Sequence, residues 1–482
     1  MEGGRTRTQW IGLWLGPILG LLLVLCGAPE GLSPEGWRVA GLLVLMATWW
    51  ATEAIPIPAT SLLPLVIIPL IGGGTATEAA AGYSSTIVML LLGGFIVAMG
   101  IERWNLHTRI ALNIVSQAGN HMRLIIAGFM IATALISAWI SNTATTLMMV
   151  PIAISVAAEA GEDSSVFSKS LLLGICYAAS IGGVATPIGT PTNLIAIDWL
   201  QKNTGSSIGY LQWMSFGVPA MLLLIPLAWF VVTRGLPRTS PEHGMAAQEE
   251  VREHLSALGR ITTPEARVAM VFGLIAFLWV TRDLFQTLLN GVPGLGWVQS
   301  VGDMGIAAFG AVLMFLIPAG GGEKRALLSW EEAVKLPWGV ILLFGGGISL
   351  GNAVKRTGLS EWLGGMLAGL EGAPALLIVL VVVLLVVYLT EVTSNVATMT
   401  TLAPVLGAFA LGIGVAPESL LGPAAVAASC AFMLPVATAP NAIVYASNAV
   451  SVKDMIRAGF WVNLGAVILI TLIGGFLAPL VL

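Results

Sequence analysis

The sequence predicts an all-α membrane protein, a bundle of spanning helices made of two related halves. Of its 482 residues, 57% are hydrophobic and only 10% are charged, whereas an ordinary soluble domain has about 25% charged residues. Apolar runs of about eighteen residues or more recur from end to end, and each can cross a hydrocarbon core of about 30 Å as a helix. A motif rich in Ser, Asn and Thr occurs once in each half. These observations exclude a soluble multi-domain protein.

The charged and sulfur-containing residues exclude several kinds of partner. The formal net charge of -4 comes from 21 basic and 25 acidic side chains, and the basic ones lie between apolar runs, so nucleic acid is not expected as a partner. Cys26, Cys176 and Cys430 lie far apart in apolar stretches without metal-ligand spacing. They are interpreted as small packing residues, not as a disulfide framework or a zinc site.

The first apolar run follows Arg5 and Arg7 and extends from Trp10 to Cys26. No Ala-x-Ala-like cleavage site follows it and further spans come after it, so we interpret it as a retained first span with a cytoplasmic N-terminus. The protein is therefore expected to be a multi-pass protein of a bacterial inner (cytoplasmic) membrane, with membrane lipid around it.

About eleven spans are expected, and other apolar stretches are interrupted by Gly, Pro, Ser and Thr, so some predicted spans must be partial. The predicted segments are 10–28, 37–55, 58–73, 84–101, 121–138, 166–184, 210–233, 267–285, 303–318, 338–354, 374–391, 420–435 and 459–481.

A polar segment divides the chain into three parts. Residues 1–233 contain the N-terminal spans and the first repeat, 234–266 form a cytoplasmic linker, and 267–482 contain the second repeat. The arginines of the linker indicate the cytoplasmic side under the positive-inside rule, as do Arg103, Arg109 and Arg123. Polar and apolar residues are interleaved between 104 and 118, which favours a helix lying in the membrane interface; a simple cytoplasmic loop is the alternative.

The internal repeat can be read directly from the letters. "LLGGFIVAMGIERWNL" precedes "SAWISNTATTLMMVP" in the first half, and "LFGGGISLGNAVKRTGL" precedes "TEVTSNVATMTTLAP" in the second. One constant spacing relates Ser141 to Ser394 and Asn142 to Asn395, and a second pair of turns follows around Asn193 and Asn441. Paired, interrupted hydrophobic segments of this kind indicate a secondary-transporter site at the bilayer midplane. The alternative is a duplicated packing repeat that has no site.

The repeated polar clusters have a definite chemistry. Unpaired polar groups are costly in lipid, so the clusters must face protein or a water-filled cavity. The alternative is that their hydroxyls only hydrogen-bond to carbonyls of their own helix or join neighbouring helices. Hydroxyl, amide and free carbonyl oxygens suit Na⁺, and free N–H groups at helix starts suit a carboxylate, sulfate or phosphate. No Lys or Arg lies within the clusters, so an anion there needs co-bound cations, which is a physical reason for symport.

Intramembrane acids are few. Glu53, Asp198 and Glu391 lie nearest to the motifs. Glu391 flanks the second motif, where it would take a proton, orient the hairpin or serve only a structural role.

With these motifs the chain resembles the divalent anion/sodium symporter family, which includes sodium-coupled dicarboxylate and citrate carriers. The resemblance is carried by "SNTATT" (141–146), "SNVAT" (394–398), "IGTPTNLIA" (188–196) and "FMLPVATAPNAIV" (432–444), and it covers most of the chain after about Trp49. It implies an inverted-repeat helical bundle with two re-entrant hairpins, near 138–160 and 391–412. It also implies a homodimer in which a transport domain moves against a scaffold domain as an elevator.

The resemblance also implies a set of binding residues. One sodium site would use Ser137, Ser141, Asn142 and Gly189, and its repeat-related partner Thr390, Thr393, Asn395 and Ala437. Substrate carboxylates would meet Asn142, Thr143, Thr190, Ser394, Asn395 and Thr438.

Several positions depart from the family pattern. Val396 stands where many members have threonine, which removes a hydroxyl and bears on substrate choice. Ala439 replaces a common proline, which is expected to loosen that turn, and Thr190 and Thr192 replace the commoner Ser and Pro. The oxygen ligands are retained.

The leading hypothesis is sodium-coupled symport of C4-dicarboxylates such as succinate, malate or fumarate. Dicarboxylate exchange and citrate or sulfate transport remain alternatives on the same fold. An intramembrane hydrolase with Ser141 or Ser394 as nucleophile is a remote alternative, because the four histidines lie in polar segments or at span ends and there is no GxSxG motif. An ion channel is disfavoured because long filters of repeated acidic or carbonyl rings are absent from the sequence. We therefore expect a transporter and not an enzyme.

Overall fold

The computed structural model describes residues 5–159, 164–205, 208–236, 241–292, 294–366 and 374–482. In that part of the chain the fold is all-α, as predicted, apart from one two-stranded antiparallel sheet of β1 (Pro318–Gly320) and β2 (Glu323–Ala326). The helices of the first half are α1 (Arg7–Leu25), α2 (Pro34–Thr52), α3 (Ile57–Thr60), α4 (Leu63–Leu70), α5 (Ala76–Ala81), α6 (Thr86–Arg103), α7 (Leu106–Val115), α8 (Met122–Ser137), α9 (Asn142–Ala158), α10 (Ser164–Gly183), α11 (Pro191–Thr204) and α12 (Tyr210–Thr233). They are followed by α13 (Pro241–Ala257), α14 (Thr263–Leu288), α15 (Asp303–Leu316), α16 (Trp330–Ala333), α17 (Trp338–Arg356), α18 (Leu359–Met366), α19 (Ala375–Thr390), α20 (Asn395–Gly412), α21 (Glu418–Ala428), α22 (Ala439–Ala446), α23 (Val452–Phe476) and α24 (Ala478–Val481).

The apolar helices fall into two length classes. Within the described residues, eight helices are long and apolar enough to cross a membrane, and five shorter apolar helical segments accompany them. Several of the predicted segments are arms of hairpins and not full spans. The arms α8 and α19 have only 16 residues each, about 24 Å of helix against about 30 Å of hydrocarbon.

Ion pairs fix one end of the bundle, which we call the basic face. Arg103 at the end of α6 pairs with Glu332 of α16, with Nε and Oε1 2.6 Å apart, and Arg109 of α7 pairs with Glu265 at the start of α14, 3.2 Å apart. Burial opposes ionisation of Glu332, but the Ser329 N–H, Arg325 and Arg103 outweigh it and lower the pKa of this carboxyl to about 2. The start of α14 and the ends of α6 and α16 therefore lie together.

The other end of the bundle, called the opposite face below, is fixed by ion pairs such as Arg356 with Glu78 and by cationic side chains on backbone carbonyls. Arg38 donates to the Ile71 carbonyl over 3.2 Å, and Lys355 at the end of α17 donates to the Lys202 carbonyl in the last turn of α11 over 2.6 Å. These contacts bring the starts of α2 and the ends of α4, α11 and α17 to the same face.

The two helical hairpins enter the bundle from opposite faces. Hairpin 1 (α8 and α9) begins at Met122 next to α7 and returns to the basic face, where Ser155 of α9 hydrogen-bonds to Glu250 of α13. Hairpin 2 (α19 and α20) follows the end of α17 and therefore enters from the opposite face. The predicted ranges 138–160 and 391–412 contain each tip and second arm, and the first arms, α8 and α19, precede them; residue 160 lies outside the described residues. Opposite entry makes the repeat an inverted one.

The linker between the halves is folded. Of its residues, 237–240 lie outside the described part of the chain, and most of the remainder forms α13. Gln248 of α13 donates to the Val115 and Ser116 carbonyls at the end of α7, over 3.2 and 2.7 Å. The segment predicted as an interfacial helix or a loop is thus helical (α7), and α13 lies against it and against hairpin 1.

Two helices are interrupted where they reach the hairpin tips. The chain unwinds at 184–190 between α10 and α11 and at 429–438 between α21 and α22. Asn193 Nδ2 donates to the Gly183 and Thr186 carbonyls, over 3.0 and 2.7 Å. Asn441 Nδ2 does the same to Ala431 and Leu434, over 2.9 and 2.8 Å. The repeated asparagines therefore close both unwound segments in the same way and satisfy carbonyls that the helices release.

Candidate functional site

Four helix N-termini meet at one cavity of 1010 Å³. They belong to α9, α11, α20 and α22, which begin at the two hairpin tips and after the two unwound segments. The cavity is lined by residues that the sequence analysis selected, namely Ser141, Asn142, Thr143, Gly189, Thr190, Thr393, Ser394, Asn395, Ala437 and Thr438. The two motifs are thus brought together in space although they lie in different halves of the chain.

Ser137 and Thr390 lie behind the cavity wall. Ser137 Oγ is 2.7 Å from Asn142 Oδ1 and 2.7 Å from the Ala179 carbonyl of α10. Thr390 Oγ1 is 2.8 Å from Asn395 Oδ1 and 2.9 Å from the Ala428 carbonyl. The two tips therefore repeat the same contact between a hydroxyl, an asparagine oxygen and the last turn of an interrupted helix.

Each of these contacts contains more acceptors than hydrogens. One hydroxyl hydrogen cannot satisfy two acceptor oxygens at once, so a small cation is a natural further partner for oxygens that converge in this way. The backbone leaves little room for anything else: a Cβ added to Gly183 would lie 2.7 Å from Asn142 Oδ1 and 3.1 Å from the Gly189 carbonyl.

The type of cation follows from the donors. Among the described residues there is no group of three or more His, Cys, Asp or Glu side chains that could hold a metal ion. Neutral hydroxyl, amide and carbonyl oxygens, as at Ser137 and Asn142, suit a hard, weakly bound cation. The donor set therefore fits Na⁺.

The helix N-termini supply the positive potential. Each helix N-terminus carries about +0.5 elementary charge, so four of them place about +2 around the cavity. Ser141 Oγ accepts from the Ala144 N–H over 3.2 Å and Thr438 Oγ1 accepts from the Asn441 N–H over 3.3 Å, which caps α9 and α22. The side chains of Thr190 and Ser394 make no such cap bond at α11 and α20. Those two helix starts keep N–H groups and hydroxyls available to an anion.

The positions that depart from the family pattern also lie at the cavity. Val396 and Ala439 both line it. The turn with Ala439 is closed by Asn441 in the way that Asn193 closes its counterpart. Thr192 does not line the cavity; its hydroxyl lies 2.9 Å from that of Ser429.

Glu391 has a structural role that the sequence left open. Its buried carboxylate accepts the N–H groups of Phe432, Met433 and Leu434 over 2.8 to 3.1 Å, and the Asn463 amide over 2.6 Å. Glu391 therefore fixes the unwound segment 429–438, which carries Ala437 and Thr438, against the tip of hairpin 2. The acid next to the motif was visible in the sequence, but its partners lie far along the chain.

An aromatic cluster at hairpin 1 was not predicted. The ring of Trp139, in the hairpin tip, lies 5.1 Å from Phe272 in an edge-to-face arrangement and stacks on Tyr210 at 5.9 Å. Trp279 of α14 stacks on Tyr210 at 4.6 Å. Isolated aromatic residues in apolar runs give no sequence signal for such a cluster.

Comparison with known proteins identifies the family. Residues 7–482 match the transmembrane region of sodium:sulfate symporters. The chain belongs to the sodium:sulfate symporter family. The sodium-dependent dicarboxylate transporters SdcS of Staphylococcus saprophyticus and of Staphylococcus aureus strain NCTC 8325 are each 42% identical to it over 484 residues, with 98% of this chain and 92% of each relative covered. The resemblance to divalent anion/sodium symporters is confirmed.

Solved structures support the fold alone. The antimetabolite efflux pump MtrF of Neisseria gonorrhoeae and the transporter YdaH of Alcanivorax borkumensis are each 14% identical to this chain, with a TM-score of 0.61. MtrF is matched over 96% of this chain and 94% of its own, and YdaH over 97% and 98%. An inverted-repeat transporter bundle is therefore confirmed as the fold.

Proposed function

We propose that this protein is a symporter that couples sodium to the transport of C4-dicarboxylates such as succinate, malate or fumarate. The observation that carries the proposal is the meeting of four helix N-termini at one cavity, beside two clusters of neutral oxygens. The relatives named sodium-dependent dicarboxylate transporters support it, because they match nearly the whole chain.

We assign the residue roles that the family resemblance implies, and this geometry supports the assignment. The first sodium ion is held by Ser137, Ser141, Asn142 and Gly189, and the second by Thr390, Thr393, Asn395 and Ala437. The dianion is held by Asn142, Thr143, Thr190, Ser394, Asn395 and Thr438. Asn142 and Asn395 belong to both sets, so each ion helps to orient a side chain that the dianion also needs. Cation and anion binding are then reciprocally linked.

We propose that the protein lies in the inner membrane of a bacterium with its N-terminus in the cytoplasm. The described basic side chains at the opposite face are Arg38, Lys202, Arg282, Lys355 and Arg356. Most of the remaining described ones belong to the basic face, which the positive-inside rule assigns to the cytoplasm. The cavity reaches Thr6, Glu102 and Lys335 of the basic face. The site is therefore open to the cytoplasm in this conformation.

We propose an elevator mechanism in which each subunit of a homodimer moves its own transport domain. The chain is divided into the first half (1–233), the linker (234–266) and the second half (267–482). The hairpins and interrupted helices would move as one transport domain against a scaffold. Both the movement and the dimer are what the resemblance to divalent anion/sodium symporters implies. Large exposed apolar side chains such as Leu222, Phe230 and Phe277 face lipid in this arrangement or lie in the dimer contact.

Uptake of labelled succinate into proteoliposomes tests the function. With an inward sodium gradient, succinate should accumulate, and replacing sodium by choline should abolish the accumulation. Uptake that is independent of sodium but requires dicarboxylate inside the vesicles would establish exchange instead. Stronger competition by citrate or sulfate than by malate would reassign the substrate.

An enzyme is disfavoured by the same observations. The relatives are named transporters, and no histidine of the described residues lines the cavity beside Ser141 or Ser394. Nucleophilic catalysis by a serine usually needs a histidine or another base within hydrogen-bond reach, so this lining favours a binding site over a hydrolase.

A further inference from the structure

A second, smaller crevice lies at the opposite face. Its volume is 40 Å³, and its walls come from α11, α17 and α20. Asp198, Lys202 and Asn203 of α11 and Asn352 and Lys355 of α17 supply its polar lining. None of these residues belongs to the binding roles proposed above.

The crevice lies in line with the central cavity. Helix α11 begins beside Thr190 in the cavity and carries Lys202 into the crevice, about 18 Å along the helix axis. Helix α20 begins at Asn395 in the cavity and carries Thr400 into the crevice. Both helices that hold the site thus point from it to the opposite face.

Helix α17 connects the same two spaces. Val340 in its first turn lines the cavity, and Gly347 and Gly351 further along line the crevice. Gly347 lies against Thr400, close enough that an added Cβ would overlap it. The same three helices, α11, α17 and α20, thus line both spaces, the cavity on one side of the site and the crevice on the other.

The crevice carries an excess positive charge. Lys202 Nζ lies 2.9 Å from Asp198, so these two charges form a pair. Lys355 Nζ instead donates to the Lys202 carbonyl over 2.6 Å, and no carboxylate of the described residues forms an ion pair with it. One uncompensated, exposed ammonium group remains on this path.

We propose that Lys355 forms a recruitment site for small dianionic carboxylates at the opposite-face entrance of the transport path. This rests on the proposed function, because a dianion must pass this point to reach the central site when the crevice opens. The ammonium group attracts the dianion at the entrance, before the dianion reaches the central site, where helix N-termini and co-bound cations neutralise its charge. A charge in a narrow cleft raises the local concentration of an oppositely charged solute, and salt weakens this effect.

Uptake by intact cells, which reaches the opposite face in the proposed orientation, tests the assignment. Lys355→Gln removes the charge and keeps an N–H donor for the Lys202 carbonyl, and Lys355→Arg keeps both. At low ionic strength and constant sodium, Lys355→Gln should raise the KM for succinate about threefold to tenfold with Vmax unchanged, and Lys355→Arg should not. Added choline chloride should shrink the difference.

The chain offers a matched control on the basic face. Lys324 of β2 is exposed and lines neither the cavity nor the crevice, so Lys324→Gln should leave the KM for uptake unchanged. A wild-type KM for Lys355→Gln at low ionic strength, or an equal rise in Lys324→Gln, would overturn the recruitment site. If the unaltered protein itself takes up no succinate with sodium, the proposed function fails instead, and the two failures are thus distinguishable.

Discussion

The tips of hairpins 1 and 2 hold the same oxygens in the same arrangement but are supported in different ways. Their flanking residues correspond: Ser137 matches Thr390 and Asn142 matches Asn395, with nearly equal contact distances. The residues at the turn itself differ completely, since 138–140 are Ala, Trp and Ile, and 391–393 are Glu, Val and Thr.

These turn residues make different contacts. In hairpin 1, Trp139 packs against Phe272 of α14, whereas its counterpart Val392 in hairpin 2 is 64% exposed. In hairpin 2, Glu391 holds the unwound segment through backbone N–H groups, whereas its counterpart Ala138 has no side-chain oxygen and accepts Thr186 Oγ1 at its carbonyl instead. The hydroxyl and asparagine oxygens proposed as ligands are therefore the same in both halves, whereas the side chains that hold the two tips in place differ.

The largest effect is expected when the shared geometry is removed. Asn142→Ala and Asn395→Ala should each lower succinate transport at least about 100-fold, because each deletes contacts to charged ligands worth about 1.5–3 kcal/mol apiece. Transport by purified, reconstituted variants measures this.

Asn113→Ala, at an exposed position of α7 outside the cavity, serves as the control and should transport normally. Size-exclusion profiles should show all three variants folded. Full activity of Asn142→Ala or Asn395→Ala would contradict the binding role assigned to that asparagine.

A second change acts on hairpin 1 alone. Gly183→Ala places a methyl group against Asn142 Oδ1, so the sodium concentration for half-maximal transport should rise about 30-fold, within the range for altered ligand positioning. Gly273→Ala on α14 meets no atom within 4 Å and should change nothing. Equal behaviour of the two variants would mean that Asn142 is not a cation ligand.

The corresponding change in hairpin 2 is Glu391→Gln. The amide offers one acceptor oxygen to the backbone N–H groups that now share two, so the segment carrying Ala437 should loosen and the half-maximal sodium concentration should rise about tenfold. Asn463→Ala removes a single contact to the same carboxylate and should have a smaller effect in the same direction. Unchanged sodium dependence in both variants would show that Glu391 does not position the second site.

The smallest effect concerns stability. Trp139→Leu keeps an apolar side chain but removes the ring contacts, so it should lower the free energy of unfolding by about 1.5 kcal/mol, within the range for aromatic pairs. Val392→Ala should change it by less than about 0.5 kcal/mol because this side chain is mostly exposed. Thermal unfolding in detergent compares them. A larger loss in Val392→Ala would reverse the proposed difference between the tips.

The features that occur in both halves of the chain could be predicted from the sequence. Ser141 and Asn142 recur as Ser394 and Asn395 in the same spacing, and only a shared local geometry explains polar residues kept inside apolar runs. Asn193 and Asn441 were likewise recognisable, and they close the unwound segments in the same way. These repeats predicted one central site, and the family resemblance carried by the same motifs implied the two helical hairpins.

Features that occur once could not be predicted. Glu391 meets Asn463 across seventy-two positions of sequence, and Trp139 meets Phe272 of the other half; neither contact has periodicity or a repeat. The first arm α8 looked like a full span because hydropathy does not show where a helix turns back. The folding of the linker into α13 depends on contacts with α7 and hairpin 1, which its own composition does not reveal.

The central claim is that dianion and cations occupy one site between the two tips and stabilise each other there. Equilibrium binding of labelled succinate to purified protein over a series of sodium concentrations tests it most directly. Succinate affinity should rise steeply with sodium, and the sodium affinity should rise with succinate by the same factor. Succinate binding that is equally tight in sodium and in choline would contradict it.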